Sequence, residues 1–248
     1  GWSRARFAWR LLLPASLPLV GLALRLHRLE AQSYWYDEGT SAALASRSAA
    51  DILRAAASDV HPPLYYLSLA GWWRLTGDSD FALRCFSALV GTVLVALVVG
   101  LAARLWSRPA GLAAGWTAAW SPFLVWYGQE ARMYALGATL GLASVALAVA
   151  LALAPAPVGA RRGARARARA APLGPERTAR ARDPDGKGGP PASARRSRRA
   201  DLLLASYVAV AAATLHTQYL LGAAALAAAN LAMLGAAVFR PRGAPPPD

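Results

Sequence analysis

The sequence predicts an all-α protein that crosses a membrane several times. Hydrophobic residues make up 56% of the 248 positions and charged residues only 16%, which differs strongly from an average soluble domain. Apolar stretches of about 20 residues recur, and this is the length that a helix needs to cross the hydrocarbon core. Together these observations predict a polytopic fold with about six transmembrane helices.

Six apolar stretches are the predicted spans. In chain order they cover residues 7–26, 82–106, 110–127, 133–154, 202–216 and 219–239. The fifth is short and needs flanking residues to span. Arg10 and Arg25 lie near the ends of the first stretch, where we expect their side chains to snorkel to the interface. The alternative for this stretch is a signal peptide, but the later spans argue against it.

Residues 64–75 form a further apolar segment that is too short to span. Twelve residues reach only about 18 Å as a helix, and four of them are Tyr or Trp, which favour the membrane interface. Pro62 and Pro63, just before the segment, suit a helix start. We therefore predict an interfacial helix within the first outer loop.

The distribution of charge sets the predicted orientation. If residues 64–75 do not span, both termini and the Arg-rich segment fall on the cytoplasmic side, as the positive-inside rule requires. The loop 27–80, which holds seven acids against four arginines, then lies outside. This predicts a multi-pass plasma-membrane protein whose active site faces the extracytoplasmic side.

The Arg-rich segment carries most of the net charge of +14. Residues 155–200 hold thirteen basic and three acidic side chains, without apolar periodicity, which predicts disorder. A local block of charge indicates a solvated tether or a lipid head-group contact rather than nucleic-acid binding. The predicted organisation is four helices and the outer catalytic loop in 1–154, a disordered cytoplasmic loop in 155–201, two helices in 202–239 and a tail in 240–248.

Asp37 and Glu38 are the candidate catalytic residues. They lie in the outer loop directly after the first predicted span, behind three aromatic residues. Acidic side chains beside a bilayer are costly to desolvate, so such a pair is a functional-site hypothesis. The alternative is that Asp37 only caps a helix running through Glu38 to Ala57.

Further polar clusters fall on the same predicted face. They are His61-Pro62-Pro63, residues 127–134 and residues 216–219; the last is interpreted as an aromatic-belt turn. An acid, an imidazole and a guanidinium at a membrane surface suit a substrate with a phosphate head and a lipid tail. The alternatives are an interfacial histidine bonded to a carbonyl group and a surface ion pair of Glu130 with Arg132.

Four motifs, in order and spacing, resemble the GT-C glycosyltransferases. Within these enzymes the chain looks most like the protein mannosyltransferase and lipid A aminoarabinose transferase superfamily. The resemblance runs from about residue 10 to residue 239, and its specific part is 34–136. The motifs are Tyr36-Asp37-Glu38, His61-Pro62-Pro63-Leu64-Tyr65-Tyr66, Gly77-Asp78-Ser79-Asp80-Phe81-Ala82-Leu83-Arg84 and Tyr127-Gly128-Gln129-Glu130-Ala131-Arg132-Met133-Tyr134.

The resemblance implies transfer of a sugar from a polyprenyl-phosphate donor to a glycan, lipid or protein acceptor. It also implies that Asp37 is catalytic, that Glu130 lines the same site and that His61 lies close by. We therefore predict catalytic roles for Asp37 and Glu38. The predicted substrate-binding residues are His61, Tyr65, Glu130, Arg132 and Tyr134.

The same resemblance leaves some properties open. A divalent metal is an open possibility, and the sequence names neither the sugar nor the acceptor. Relatives usually carry further spans, and the chain begins at Gly1 without a Met, so we expect a fragment or a chain that is inactive alone.

The alternative functions are a membrane scaffold and a transporter. A transporter would place ionisable residues at mid-membrane.

Overall fold

The computed structural model describes residues 2–59, 61–153 and 192–218, with a few more residues between 224 and 231. The described residues form helices and connecting turns and contain no β-strand, which confirms the all-α prediction. The helices are α1 (Trp2–Leu26), α2 (Tyr36–Ala45), α3 (Ala49–Ala56), α4 (Leu64–Thr76), α5 (Asp80–Leu105), α6 (Arg108–Trp120), α7 (Pro122–Gln129), α8 (Tyr134–Leu153) and α9 (Ala192–Leu215).

Two helices in the described part of the chain, α5 and α8, are long and apolar enough to cross a membrane. They match the second and fourth predicted spans. Shorter apolar segments, Leu13–Leu26 and Asp201–Leu215, match the first and fifth. The prediction of six spans is therefore not confirmed, and most of the sixth lies outside the described residues.

The third predicted span, residues 110–127, is not one helix. The chain leaves the helical conformation at Ser121, so α6 ends and α7 begins there. The cause is Pro122, which has no N–H to donate and disfavours a helical conformation at the residue before it. The Ser121 hydroxyl group then caps the new helix by accepting from Leu124 N at 3.4 Å.

Helix α9 begins earlier than the sequence predicts. It starts at Ala192, inside the segment predicted to be disordered, and continues to Leu215. Its first turns consist mostly of Ala and Arg, which favour a helix. Residues 192–201 therefore belong to a helix in the structure, and residues 155–191 lie outside the described part.

Helix α5 is the centre of the bundle. It packs against α1, α4, α6, α7 and α8, and α9 packs on α8. Its first turn is fixed by Ser79, whose hydroxyl group accepts from Ala82 N at 3.1 Å. One apolar cluster joins α1, α5 and α6 around Leu17, Val95 and Ala119. The N-terminal end of α5 thereby lies beside the loop that holds the acidic pair.

The predicted interfacial segment is helix α4, as expected. It begins after Pro63 and ends at Gly77, whose φ of 93° favours glycine. Its buried face carries Tyr65, Tyr66 and Leu69, which join a second apolar cluster with residues of α2, α3 and α5. The loop 27–80 is therefore a packed layer of three helices, and its position at the membrane surface stays a prediction.

Arg25 is fully buried, so the prediction that it snorkels to the interface is wrong. Its Nη1 donates to Gly21 O at 2.9 Å, while Nε and Nη2 have no hydrogen-bond partner among the described residues. The side chain fits because two neighbours are glycines. A Cβ atom at Gly91 or at Gly128 would lie 2.8 Å from Arg25 Nε.

Close packing of α6 against α5 depends on Gly111. A Cβ atom there would lie 2.7 Å from Val99 O and 2.7 Å from Ala103 Cβ. We expect Gly111→Ala to lower the free energy of unfolding in detergent by about 1–3 kcal/mol, because the backbone of α5 must shift. The matched control is Gly100→Ala, where a Cβ atom meets nothing within 4 Å. Equal stability of the two variants would contradict this packing.

Candidate active site

Glu38 lies on the first turn of α2 and is only 2% exposed. Arg84 binds both of its oxygens, with Nε 2.9 Å from Oε1 and Nη2 2.8 Å from Oε2. The backbone N–H of Ala131 also donates to Oε1 at 2.8 Å. Bidentate hydrogen bonds between an arginine and a carboxylate are stronger than hydrogen bonds between neutral groups. Together these contacts connect α2, α5 and the segment after α7.

Arg84 was not among the predicted site residues, although it stands in one of the four motifs. Its Nη1 donates to Leu29 O at 3.0 Å and to Gln32 O at 2.7 Å, so it also holds the chain between α1 and α2. Its guanidinium carbon lies 4.9 Å from the centroid of the Tyr34 ring. The signal that could have found it is an arginine inside the apolar run of α5.

Asp37 differs from its neighbour in being partly open to solvent. Its side chain is 34% exposed, and Oδ2 lies 3.3 Å from Arg132 Nη2. It does not cap the helix: the N-cap residue of α2 is Trp35, and no side chain caps it. The capping alternative is therefore wrong. A carboxylate at this end of a helix is favoured by the helix dipole.

Arg132 is the buried partner of Asp37, with 4% of its side chain exposed. Besides the ion pair, its Nη1 donates to Asp37 O at 3.4 Å. Its guanidinium carbon lies 5.8 Å from the centroid of the Tyr134 ring, which in turn packs edge-on against Tyr127 at 4.6 Å. Of the predicted residues, Arg132 therefore contacts Asp37 directly, and Tyr134 packs against Arg132.

Glu130 ends α7 and has a different environment. Its Oε1 accepts from Trp126 Nε1 at 2.7 Å, whereas its Oε2 is buried and has no hydrogen-bond partner within the described ranges. Burial raises the pKa of Glu130 above its ordinary value. This carboxyl group therefore holds one oxygen that has neither a hydrogen-bond partner nor exposed surface.

Two further predicted substrate-binding residues, Tyr65 and His61, differ in exposure. Tyr65 is fully buried in the apolar cluster, 5.5 Å from the Tyr66 ring, and burial raises its pKa well above the usual range. It has no open surface for a substrate, because its face of α4 is the packed face. His61 lies at the loop surface, where its Nδ1 is 3.4 Å from Asp59 Oδ1.

The fourth polar cluster contacts the start of α4. The carbonyl group of His216 accepts from Leu64 N at 3.1 Å, which joins the end of α9 to the His61-Pro62-Pro63 motif. Thr217 is fully buried beside it. This cluster therefore supports the outer loop through a backbone contact.

A cavity of about 520 Å³ opens beside Glu130. Trp35 and Trp126 line it, together with Arg28 and with the Glu38–Arg84 pair, whereas Asp37 does not. Gln129 fixes one wall, because its Nε2 donates to Arg25 O at 3.1 Å and to His27 O at 2.9 Å. A second hollow, of about 590 Å³, lies on the open surface of α3.

Metal-ligating side chains do not cluster in the described part of the chain. No group of three or more His, Cys, Asp or Glu residues there is arranged to hold a metal ion. Asp37 and Glu38 instead have arginine partners.

The described helices thus form a bundle with an acid–arginine cluster at the N-terminal end of α5. The sequence model of the dolichyl-phosphate-mannose-protein mannosyltransferase family matches residues 60–156. The match covers three of the four motifs and supports the resemblance to the GT-C superfamily. It suggests a membrane glycosyltransferase, and the first motif, with Asp37, lies N-terminal to it. No curated protein and no solved structure matches the chain.

Proposed function

We propose that the protein is a membrane glycosyltransferase that moves a sugar from a polyprenyl-phosphate donor to an acceptor on the extracytoplasmic face of the plasma membrane. The observation that carries this proposal is the contrast within the acidic pair. Glu38 is enclosed by Arg84 and Ala131, whereas Asp37 is partly exposed and held by a buried arginine. Asp37 is therefore the carboxylate that a substrate can reach.

In this proposal Asp37 acts as the general base. A sugar on a polyprenyl phosphate already has a good leaving group, so the acceptor hydroxyl group is the group that needs assistance. Asp37 accepts the hydroxyl proton as the oxygen attacks the anomeric carbon. The bond from that carbon to the phosphate breaks, and the phosphate leaves with the electron pair. Attack from the opposite face inverts the anomeric configuration.

Arg132 and His61 have supporting roles in the proposal. The guanidinium of Arg132 fixes one oxygen of Asp37, which leaves the other directed to the acceptor. His61, on the exposed surface of the same loop, steadies the charge of the leaving phosphate. The bilayer supplies the hydrocarbon surface for the polyprenyl chain, and the acceptor is a glycan, lipid or protein hydroxyl group.

A transfer assay tests the proposal. Membranes that contain the full-length protein are incubated with a panel of radiolabelled polyprenyl-phosphate sugars, and label is followed into water-soluble, lipid and protein fractions. Membranes from cells without the protein are the control. We expect one donor to lose its label to an acceptor only when the protein is present. Donors that stay intact across the panel, with and without added divalent cations, would rule the function out.

A further inference from the structure

Helix α7 is joined to the end of α1 by the side chain of Gln129. Its Nε2 donates to three backbone carbonyl groups, those of Leu24 at 3.4 Å, Arg25 at 3.1 Å and His27 at 2.9 Å. The last carbonyl groups of an α-helix have no partner within the helix, so this amide caps α1 from a distant part of the chain. All three neighbours are acceptors, so the contact requires a hydrogen-bond donor at residue 129.

A second contact between the same two helices lies one residue earlier, at Gly128. Gly128 is buried, and a Cβ atom there would lie 2.8 Å from Arg25 Nε and 2.9 Å from Arg25 Cδ. The backbone of α7 therefore lies directly on the Arg25 side chain. Packing at Gly128 and hydrogen bonds at Gln129 together fix the end of α7 against α1.

The segment that follows Gln129 reaches the acidic pair within three residues. Ala131 N donates to Glu38 Oε1 at 2.8 Å, and Arg132 Nη2 lies 3.3 Å from Asp37 Oδ2. Three residues span at most about 10 Å, so a shift at the end of α7 passes to Arg132 with little slack. The single hydrogen bond at Ala131 leaves the segment free to pivot, and the contact of Gln129 with α1 supplies the second fixed point.

The contact between Arg132 and Asp37 is sensitive to such a shift. Its two distances, 3.3 Å to Asp37 Oδ2 and 3.4 Å to Asp37 O, are longer than the roughly 2.7–2.9 Å of a strong charge-assisted hydrogen bond. Arg132 Nε is buried and has no hydrogen-bond partner among the residues that the structure describes, so it does not help to hold the guanidinium in place. Misplacement of a catalytic group by about 1 Å can lower a rate about 10²-fold.

We infer that Gln129 is a positioning residue, which sets the position of Arg132 relative to Asp37 by fixing the end of α7 on the end of α1. The inference rests on the proposed function only for the catalytic role of Asp37. It adds a residue that acts through Arg132 and that was not among the predicted site residues. A donor at residue 129 is essential to this role, because a carboxylate there would face three carbonyl oxygens.

The coupling between Asp37 and Arg132 tests the inference without any turnover. Unfolding of the full chain in detergent is measured for the wild type, Asp37→Asn, Arg132→Met and the double variant, and again for the same four proteins with Gln129→Met added. We expect the two losses of stability to be coupled in the first set and to add independently in the second. Equal coupling in both sets, zero included, would overturn the inference.

Turnover of the full-length protein, measured per folded molecule, gives a second test. Gln129→Met should lower kcat by about 10–100-fold and leave the KM for the donor within about twofold. Gln129→Lys keeps a donor for the carbonyl groups at this helix end and should lose less, whereas Gln129→Glu should lose at least as much. With Arg132→Met already present, Gln129→Met should lower kcat by less than about threefold further.

Ser107→Ala is the matched control. The Ser107 hydroxyl group also caps a helix, by accepting from Ala110 N at 3.3 Å, but it lies beyond the opposite end of α5. This variant should lose stability and keep wild-type turnover per folded molecule. An equal loss of kcat in Ser107→Ala and Gln129→Met, equal kcat in Gln129→Lys and Gln129→Glu, or the full effect of Gln129→Met in the Arg132→Met background would each contradict the inference.

The two tests separate this inference from the proposed function. A protein that shows the coupling and its loss in Gln129→Met, but transfers no sugar, overturns the proposed function and leaves the position of Arg132 dependent on Gln129. A protein that transfers sugar, but keeps the same coupling and the same kcat in Gln129→Met, overturns the role of Gln129 alone.

Discussion

Replacement of Asp37 by Asn is expected to reduce sugar transfer by about 10²–10⁴-fold, which is the usual contribution of a general base. Asn keeps the shape of the side chain and an oxygen that Arg132 can reach, but it cannot take a proton at neutral pH. The ion pair that is lost joins a partly exposed carboxylate to a buried guanidinium, so Asp37→Asn should also lower the stability of the fold. Turnover is therefore compared per folded molecule.

The measurement is the transfer rate in membranes that contain equal amounts of each variant. Asp51→Asn is the matched control, because Asp51 also lies in the first turn of a helix in the same loop but is paired with Ser48 and Arg54 at the surface. It should keep near wild-type turnover. If Asp37→Asn does the same, the carboxylate of Asp37 is not the base.

Glu38→Gln should destabilise the fold by about 3–5 kcal/mol, because it leaves the Arg84 guanidinium buried without its counter-charge. Arg84→Met should have a similar effect for the opposite reason, since it leaves the carboxylate buried. In the double variant neither charge remains, so its loss of stability should be well below the sum of the two single losses.

The coupling energy of the Glu38–Arg84 pair is measured by unfolding the wild type, the two single variants and the double variant in detergent. Circular dichroism follows the unfolding. Losses that add to within about 0.5 kcal/mol would show that the two side chains act independently. Transfer per folded molecule separates the roles: Glu38→Gln should keep most of its turnover where it stays folded. A loss as large as that of Asp37→Asn would make Glu38 catalytic, as the sequence alone predicts.

The contrast between Asp37 and Glu38 explains what the sequence could and could not predict. The motif identifies both acids, but consecutive residues on a helix point about 100° apart. Which of them is enclosed depends on Arg84 and Ala131, which lie 46 and 93 positions further along the chain. The sequence around the motif therefore does not show which of the two acids is enclosed.

The same reason explains why the sequence alone could predict neither the burial of Tyr65 nor the position of the cavity. An aromatic residue beside a membrane suits either a packed face or an open one, and only the contacts of α4 with α2 and α5 decide the matter. The cavity combines side chains from the end of α1, the following loop and α7. The break between α6 and α7 at Ser121, by contrast, has a signal in the local sequence, because Pro122 disfavours a continuous helix.

The buried side chain of Arg25 constrains the order in which this sequence can change during evolution. Its stem fills the space where side chains at positions 91 and 128 would begin, so a larger residue at either position forces the Arg25 side chain to move or favours a smaller residue at position 25. An arginine that returns to residue 25 after alanine is fixed at either position meets the same conflict. Selection for suppressors of a defective Gly128→Ala protein should therefore yield substitutions at residue 25, and suppressors that fall only at distant positions would argue against this dependence.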